Sequence, residues 1–343
     1  MSAVPLPRDD GGQPTAAVAD ATLLAVRDLH VVFDTRFGPL TAIDHVSFDI
    51  RPGEILGVVG ESGAGKSLTG TAIIGLLDPP GRIAGGEIRL QGARIDNLPA
   101  AAMRKIRGRK IGAIFQDPLT SLHPMLTIGA QLTETIRTHF PVDARTARAT
   151  ALELLREVGI PAAETRIDHY PHQFSGGMRQ RVVIALALAG QPALIVADEP
   201  TTALDVSIQA QITTLLKRLC RDHGASVMLI THDMGVIAET ADRVAVMYAG
   251  RIVETGPVDS VTRAPRHPYT RGLMASIPSM RVRQAALRQI DGAMPRLHAI
   301  PAGCAFHPRC EHASARCHAE RPELEARSHA VACWHPFEGA VDG

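Results

Sequence analysis

The sequence predicts an α/β fold, a doubly wound core whose strands carry chemistry at their carboxyl ends. Three observations lead there. Continuous apolar runs at 54–60 (EILGVVG), 192–200 (PALIVADEP) and 225–233 (ASVMLITHD) read as buried strands. Each run ends in a group able to handle phosphate, metal or a proton: a glycine loop, a pair of acids, a histidine. Stretches of helical period lie between the runs, as alternating strand and helix require.

The remaining elements follow in order. Residues 22–34 and 42–50 alternate apolar with polar and are rich in β-branched side chains, so they read as strands. EIRLQ (87–91) and KIGAIFQ (110–116) are shorter strands. Residues 127–159 hold helical patterns separated by HFPVD, and 243–256 reads as a hairpin with a glycine turn. Beyond about 260 the texture changes to Pro, His, Arg and Cys, which predicts a separate appendix over 261–343. Residues 1–21 lack a basic segment followed by an apolar one, and are expected to be a disordered tail rather than a signal peptide.

Composition excludes some functions. The 343 residues are 45% hydrophobic, enough for one large or two modest domains with a real core. The formal charge of +1 gives no reason to expect nucleic acid as the partner. No run approaches the roughly 18 apolar residues of a membrane helix; the longest, VVIALALAG, spans 182–190. The chain is therefore expected to be cytosolic, reaching a membrane through another subunit.

GESGAGKS at 60–67 satisfies G-x-x-x-x-G-K-[ST] and follows an apolar strand. Gly60, Gly63 and Gly65 let the backbone curl with its N–H groups inward, and the helix starting near Lys66 adds its dipole. Glu61, Ser62, Ala64 and Leu68 complete the cradle. Lys66 is expected to reach the β- and γ-phosphates, and the Ser67 hydroxyl to bind Mg²⁺. The bland alternative is a chance glycine turn, which the acidic strand downstream disfavours.

That strand places Asp198 beside Glu199. Adjacent strand residues face opposite ways, so the two should have different jobs. Asp198 suits the Mg²⁺ shell; Glu199 is left to orient and deprotonate the attacking water. A surface acid pair is the alternative.

FSGGMRQR (174–181) adds a second anion site. Ser175 sits where an N-cap does, and Gly176 and Gly177 leave the next N–H groups uncovered. Two such termini in one small chain suit a head-to-tail dimer in which each serves the nucleotide of its neighbour.

GESGAGKS, Gln116, FSGGMRQR, LIVADEP, TTALDV and His232, in this order, resemble the ABC-type ATPases over roughly 22–260. The resemblance implies a RecA-like mixed-sheet core with a helical subdomain at about 118–180, and ATP with Mg²⁺ as ligands. It implies that Ser175, Gly176 and Gly177 touch the ATP of the opposing subunit. Gln116 resembles the residue that contacts Mg²⁺ or water and senses the membrane subunit, Asp205 the residue that crosses the dimer interface, and His232 the switch residue on the γ-phosphate. An aromatic upstream of the loop should stack on adenine: Phe37 by spacing, with Phe33 the competitor. The chain departs from the family's LSGGQ signature at Phe174 and Met178. A soluble ABC ATPase of DNA repair or translation is the other reading; repair members carry a long insertion and translation members two cassettes, neither of which this chain has.

HPYTRGLMASIP (267–278) and GCAFHPRCEHASARC (303–317), with Cys333, resemble the carboxyl extension of dipeptide/oligopeptide importer ATPases. That subfamily works with a second ATPase subunit (a distinct paralogue is favoured), two membrane permeases and an extracytoplasmic binding protein. Its ATPases sit peripherally on the cytoplasmic face of the cell membrane. The transported molecule is expected to be a di- or oligopeptide, with nickel or glutathione as alternatives. The permease contact is expected near 115–132. Cys304, Cys310, Cys317 and Cys333 lack the close pairs of zinc knuckles. Their open spacing suits a [4Fe–4S] cluster, with zinc or unligated thiols as alternatives. His307, His312 and His335 are read as surface residues, and Cys220 as a buried small apolar side chain.

Overall fold

A computed structural model describes residues 22–202, 204–277, 289–325 and 327–338. The expected tail at 1–21 lies outside the described residues. In chain order the strands are β1 (Leu24–Thr35), β2 (Gly38–Ile50), β3 (Ile55–Val59), β4 (Gly81–Leu90), β5 (Ala93–Arg94), β6 (Ile111–Ile114), β7 (Leu194–Asp198), β8 (Ser226–Thr231), β9 (Arg243–Tyr248), β10 (Arg251–Pro257) and β11 (Ala330–Val331). The helices are α1 (Lys66–Ile73), α2 (Ala100–Ile106), α3 (Pro118–Ser121), α4 (Ile128–His139), α5 (Ala144–Glu157), α6 (Ala163–Arg166), α7 (Gly176–Leu188), α8 (Val206–His223), α9 (Met234–Thr240), α10 (Val258–Arg263), α11 (Pro268–Ala275) and α12 (Ala315–Ala319). The chain divides into two compact units, one holding 51–53 and 98–227, the other 24–50, 54–97 and the residues from 228 onward.

In the second of these units β1 pairs antiparallel with β2 and β4, giving the order β2-β1-β4-β5. The register of β1 with β2 shifts after Val26, and Asp28 and His45 take left-handed φ values of 51° and 55°. Short polar side chains tolerate that conformation, and the resulting bulges bend the ribbon. The other strands of this unit run β11-β10-β9-β3-β8. β3 lies parallel to β9, and all its residues are buried, as are all those of β8. Burial on both faces is why these strands read as unbroken apolar runs.

The carboxyl segment is not a separate appendix, contrary to its composition. β11 pairs with β10 through Glu254↔Val331 and Thr255↔Ala330. Tyr248 of β9, Tyr269 of α11 and Phe306 form one aromatic cluster with ring centroids 4.8 to 5.4 Å apart. The fully buried Glu254 accepts hydrogen bonds from the N–H groups of Arg266 and His267 and pairs with His329 Nε2 at 2.7 Å. Three aromatics and one buried acid thus join a polar-looking tail to the sheet.

The first unit carries β6 and β7 as a parallel pair, Ile111 opposite Leu194. Its helices start where their caps dictate. Thr127 caps α4 by accepting from Ala130 N–H, and Asp143 caps α5 by accepting from Thr146 N–H. α4 buries Ile128, Leu132 and Ile136, and α5 buries Ala147, Ala151, Leu154 and Leu155, the i, i+4 stripes of amphipathic helices. The apolar run 182–190 forms the carboxyl half of α7 and the two residues beyond it, buried on nearly all sides. Among the described residues no helix is long and apolar enough to cross a membrane.

Candidate functional site

The phosphate-type loop connects β3 to α1. Gly63 and Gly65 stand at φ 83° and 103°, which a Cβ would disfavour, and Gly65 is the left-handed N-cap of α1. Ala64 and Lys66 are buried, whereas Ser62, Gly63 and Ser67 are open to solvent and Leu68 is half-buried. Lys66 Nζ donates to the carbonyls of Gly60 (2.8 Å) and Glu61 (3.0 Å). These bonds hold an otherwise costly buried ammonium beside the N-terminus of α1, a cationic nest shaped for an anion.

The second sheet-end feature lies in the other unit. β7 ends at Asp198, and Glu199 follows at φ 45°. The strand alternation expected to separate these acids therefore stops one residue early, and a turn does the separating. Such a conformation in a non-glycine residue is sparsely populated and gathers at functional positions. Glu199 Oε2 accepts from Thr202 Oγ1 at 2.7 Å and from Gln116 Nε2 at 3.2 Å. Gln116 lies two residues past β6, exposed, so the structure brings together two of the residues singled out for catalysis.

Ser175 is the N-cap of α7 and accepts from Met178 N–H at 3.4 Å. A Cβ on Gly177 would lie 2.9 Å from Ile208 Cγ2 of α8, so close helix packing as well as open N–H groups requires glycine there. Phe174 is buried against His169, and Met178 Sδ sits 3.1 Å from Arg166 Nη1. Both departures from the family signature are thus absorbed by local packing. Asp205 holds the N-cap position of α8 while its carboxylate makes no capping hydrogen bond. His232 is exposed just past β8. Phe37 projects from the β1–β2 turn, 86% exposed, with the Arg36 guanidinium 4.7 Å over its ring. Phe33 is half-buried on β1 and packs against Gly81.

Cys304, Cys310, Cys317 and Cys333 line one small pocket together with Phe306 and Trp334. His307, His312 and His335 stand at the rim of it, His312 and His335 exposed as their reading as surface residues expected and His307 half-buried. Burial pushes the thiols of Cys304 and Cys310 up, and that of Cys333 to about 11. Cys333 Sγ accepts a hydrogen bond from His335 N–H at 3.4 Å. Among the described residues the set that brings three potential ligand atoms within 4.8 Å of one another is His30, Asp44 and His45, not the cysteines. Cys220 is buried in α8, its thiol pushed up to about 12, in keeping with an inert apolar role.

Comparison with known proteins places this geometry in context. The family model described as ABC transporter matches residues 43–202, and the model for the oligopeptide/dipeptide transporter C-terminal region matches 253–317. The dipeptide transport ATP-binding protein DppD of Escherichia coli K12 is 43% identical over 320 residues, covering 93% of this chain and 98% of the relative. Its namesake from Bacillus subtilis 168 is 47% identical over 315 residues, covering 91% and 94%. Among solved structures, a dimeric post-hydrolysis state of the ATP-binding cassette MJ0796, bound to ADP and Pi, aligns with a TM-score of 0.62 at 30% identity. It covers 68% of this chain and 98% of that one.

Proposed function

Because the chain belongs to the ABC transporter family, in the branch that carries the oligopeptide/dipeptide transporter C-terminal region, we propose that it powers import of di- or oligopeptides by hydrolysing ATP. The observation that carries this reading is likeness over nearly the full length of the dipeptide-transport relatives, extension included, together with the phosphate loop and its buried lysine.

In this reading ATP lies along residues 60–68 with its adenine on Phe37. Ser67, Asp198 and Gln116 are the residues that would hold Mg²⁺, which would supply charge neutralisation to the phosphates. Glu199 takes the proton of the attacking water, and His232 meets the γ-phosphate. A second ATPase subunit supplies its own equivalent of Ser175, Gly176 and Gly177 across a head-to-tail interface, with Asp205 at the seam. Closure around two ATP molecules is transmitted to two permease subunits, and a binding protein outside the membrane delivers the peptide. Exposed Phe115, Leu119, Met125 and Leu126 offer an apolar surface for a permease, which would hold the chain peripherally at the cytoplasmic face of the cell membrane.

The four cysteines suit a [4Fe–4S] cluster better than zinc. They share one pocket, Cys333 receives a backbone N–H, and their sequence spacing lacks the close pairs of zinc knuckles. The group would serve as a structural staple for a segment with few apolar residues. Iron and sulfide analysis of anaerobically purified protein tests it: four of each per chain, with charge-transfer absorption, is expected, and iron-free protein of full activity rejects it.

The functional reading is tested by reconstituting the chain with its genomic neighbours in proteoliposomes. ATP-dependent uptake of a labelled dipeptide is expected. Uptake of nickel or glutathione instead would replace the substrate, and ATPase activity indifferent to the permeases would remove the transport role.

A further inference from the structure

Every polar group of Glu61, the second residue of the phosphate loop, is engaged, and two of its four partners come from the carboxyl extension. Its N–H donates to the Tyr269 hydroxyl at 2.8 Å. Its carbonyl accepts from Lys66 Nζ at 3.0 Å and from Ala64 N–H at 3.2 Å. Its carboxylate is gripped by both terminal nitrogens of Arg309, at 2.7 and 2.9 Å.

Arg309 is itself immobilised. Its Nε donates to the Asp291 carbonyl at 2.7 Å and its Nη2 also reaches the Ile290 carbonyl at 3.2 Å. The rings of Tyr248 and Phe306 lie 5.9 Å from the guanidinium carbon, and the side chain is 6% exposed. A bidentate, largely desolvated pair of this kind has one geometry, unlike a surface ion pair.

We propose that Arg309, with Tyr269, is a positioning residue for ATP binding: it clamps Glu61 and so holds the phosphate loop in its anion-receiving shape before nucleotide arrives. This rests on reading residues 60–67 as the ATP-phosphate loop. The mechanism is preorganisation. The Glu61 peptide presents the carbonyl that stores Lys66, and the inward N–H groups follow in the next residues. The Glu61 N–H tied to Tyr269 shares its peptide plane with the Gly60 carbonyl, which also accepts from Lys66 Nζ at 2.8 Å, and the Arg309 fork holds the Glu61 side chain, so the loop is pinned from outside at the residue where both lysine-binding carbonyls meet. Untied, the loop would have to be ordered by the nucleotide, which weakens affinity without touching the chemical step. Arg309 also adjoins Cys310, so the loop's anchor sits in the extension, not in the cassette core.

The experiment measures KM for ATP, kcat and equilibrium binding of a fluorescent ATP analogue on the full chain. Arg309→Met is expected to raise KM and the dissociation constant about tenfold while kcat stays within about twofold. Arg309→Lys, keeping one charge but not the fork, should recover part of the loss. A merely structural role would instead lower the active fraction, hence kcat, at constant KM. Should Arg309→Met fold poorly, Glu61→Gln reads the same clamp from the other side. The double variant should then be no worse than the worse single one, because the two residues share one interaction. Additive losses, or an unchanged KM in Arg309→Met, would overturn the clamp. Lys66→Ala is the control for the underlying reading: nucleotide binding that survives it rejects the loop assignment, whereas its loss beside an indifferent Arg309→Met rejects the clamp alone.

Discussion

Gln116 Nε2 donates to Glu199 Oε2 across 3.2 Å, and Glu199 holds that position from a left-handed backbone at φ 45°. The carboxylate is also fixed by Thr202 at 2.7 Å. A side chain anchored twice, on a backbone that costs of order 1–3 kcal/mol, is one whose placement matters more than its stability. Glu199→Gln retains the shape and both contacts in altered donor pattern, but it cannot accept a proton. We predict unchanged ATP affinity with turnover reduced ~10²–10⁴-fold. Phosphate release measured beside nucleotide binding decides it; turnover near the wild-type rate removes Glu199 as the base.

Gly177 offers a contest between two effects of opposite sign. Replacing a helical glycine by alanine stabilises by about 1 kcal/mol. The added Cβ, however, would sit 2.9 Å from Ile208 Cγ2, a methyl on a stiff β-branched side chain. Overpacking of this kind costs ~1–3 kcal/mol, so Gly177→Ala should be net destabilising by about 1 kcal/mol. In an Ile208→Ala background the clash disappears and the same change should stabilise. Denaturation midpoints of the four proteins check the reversal of sign, and a penalty that persists without Ile208 would refute the packing argument.

His267 supplies a pH dependence. It caps α11, its Nδ1 accepting from Tyr269 N–H at 3.0 Å, and complete burial pushes its pKa from 6.5 down to about 3. The folded state keeps the ring neutral where the unfolded chain takes up a proton. Between about pH 6.5 and 3 the unfolded state therefore binds more protons, and stability falls as pH falls through that window. At pH 5 this single group should cost about 2 kcal/mol relative to neutral pH. His267→Asn keeps an acceptor at the cap but does not titrate. Its stability should decline less between pH 7 and 5 than that of the parent; parallel declines would show that His267 is not the group responsible.

The local parts of this molecule were legible in the sequence, and the long-range parts were not. β3, β7 and β8 are buried on both faces, which leaves an unbroken apolar run in the residues themselves. Ser175, with glycines behind it and a helix ahead, carries its cap signal within four residues. By contrast, the partners of Glu61 lie 208 and 248 residues away, and nothing in Tyr269 or Arg309 alone announces them. The carboxyl segment misled for a related reason. Its link to the sheet is a two-residue strand and three aromatics scattered between 248 and 306, too sparse for any periodicity to register. The turn at Glu199 was hidden because its φ is imposed by surroundings, not by residue type.

Phe37 is the last test, and exposure is its argument. A phenylalanine 86% open to solvent contributes little to folding, and its ring is covered on one side only by the Arg36 guanidinium at 4.7 Å. Phe33, the competing aromatic, is occupied by packing against Gly81. If Phe37 stacks on adenine, Phe37→Ala should weaken ATP binding by about 1–3 kcal/mol, roughly 5- to 150-fold, as loss of base–aromatic stacking does. Phe37→Tyr should be nearly silent, since the π-face is kept. Thermal midpoints should barely move for either. Phe33→Leu should do the reverse, lowering the midpoint while leaving nucleotide affinity within about twofold, as a conservative core swap does. Titration with ATP and with inorganic triphosphate separates base stacking from phosphate binding: the Phe37→Ala loss should appear with ATP and vanish with triphosphate. Equal losses for both ligands would assign Phe37 to the shape of the site instead of to the base.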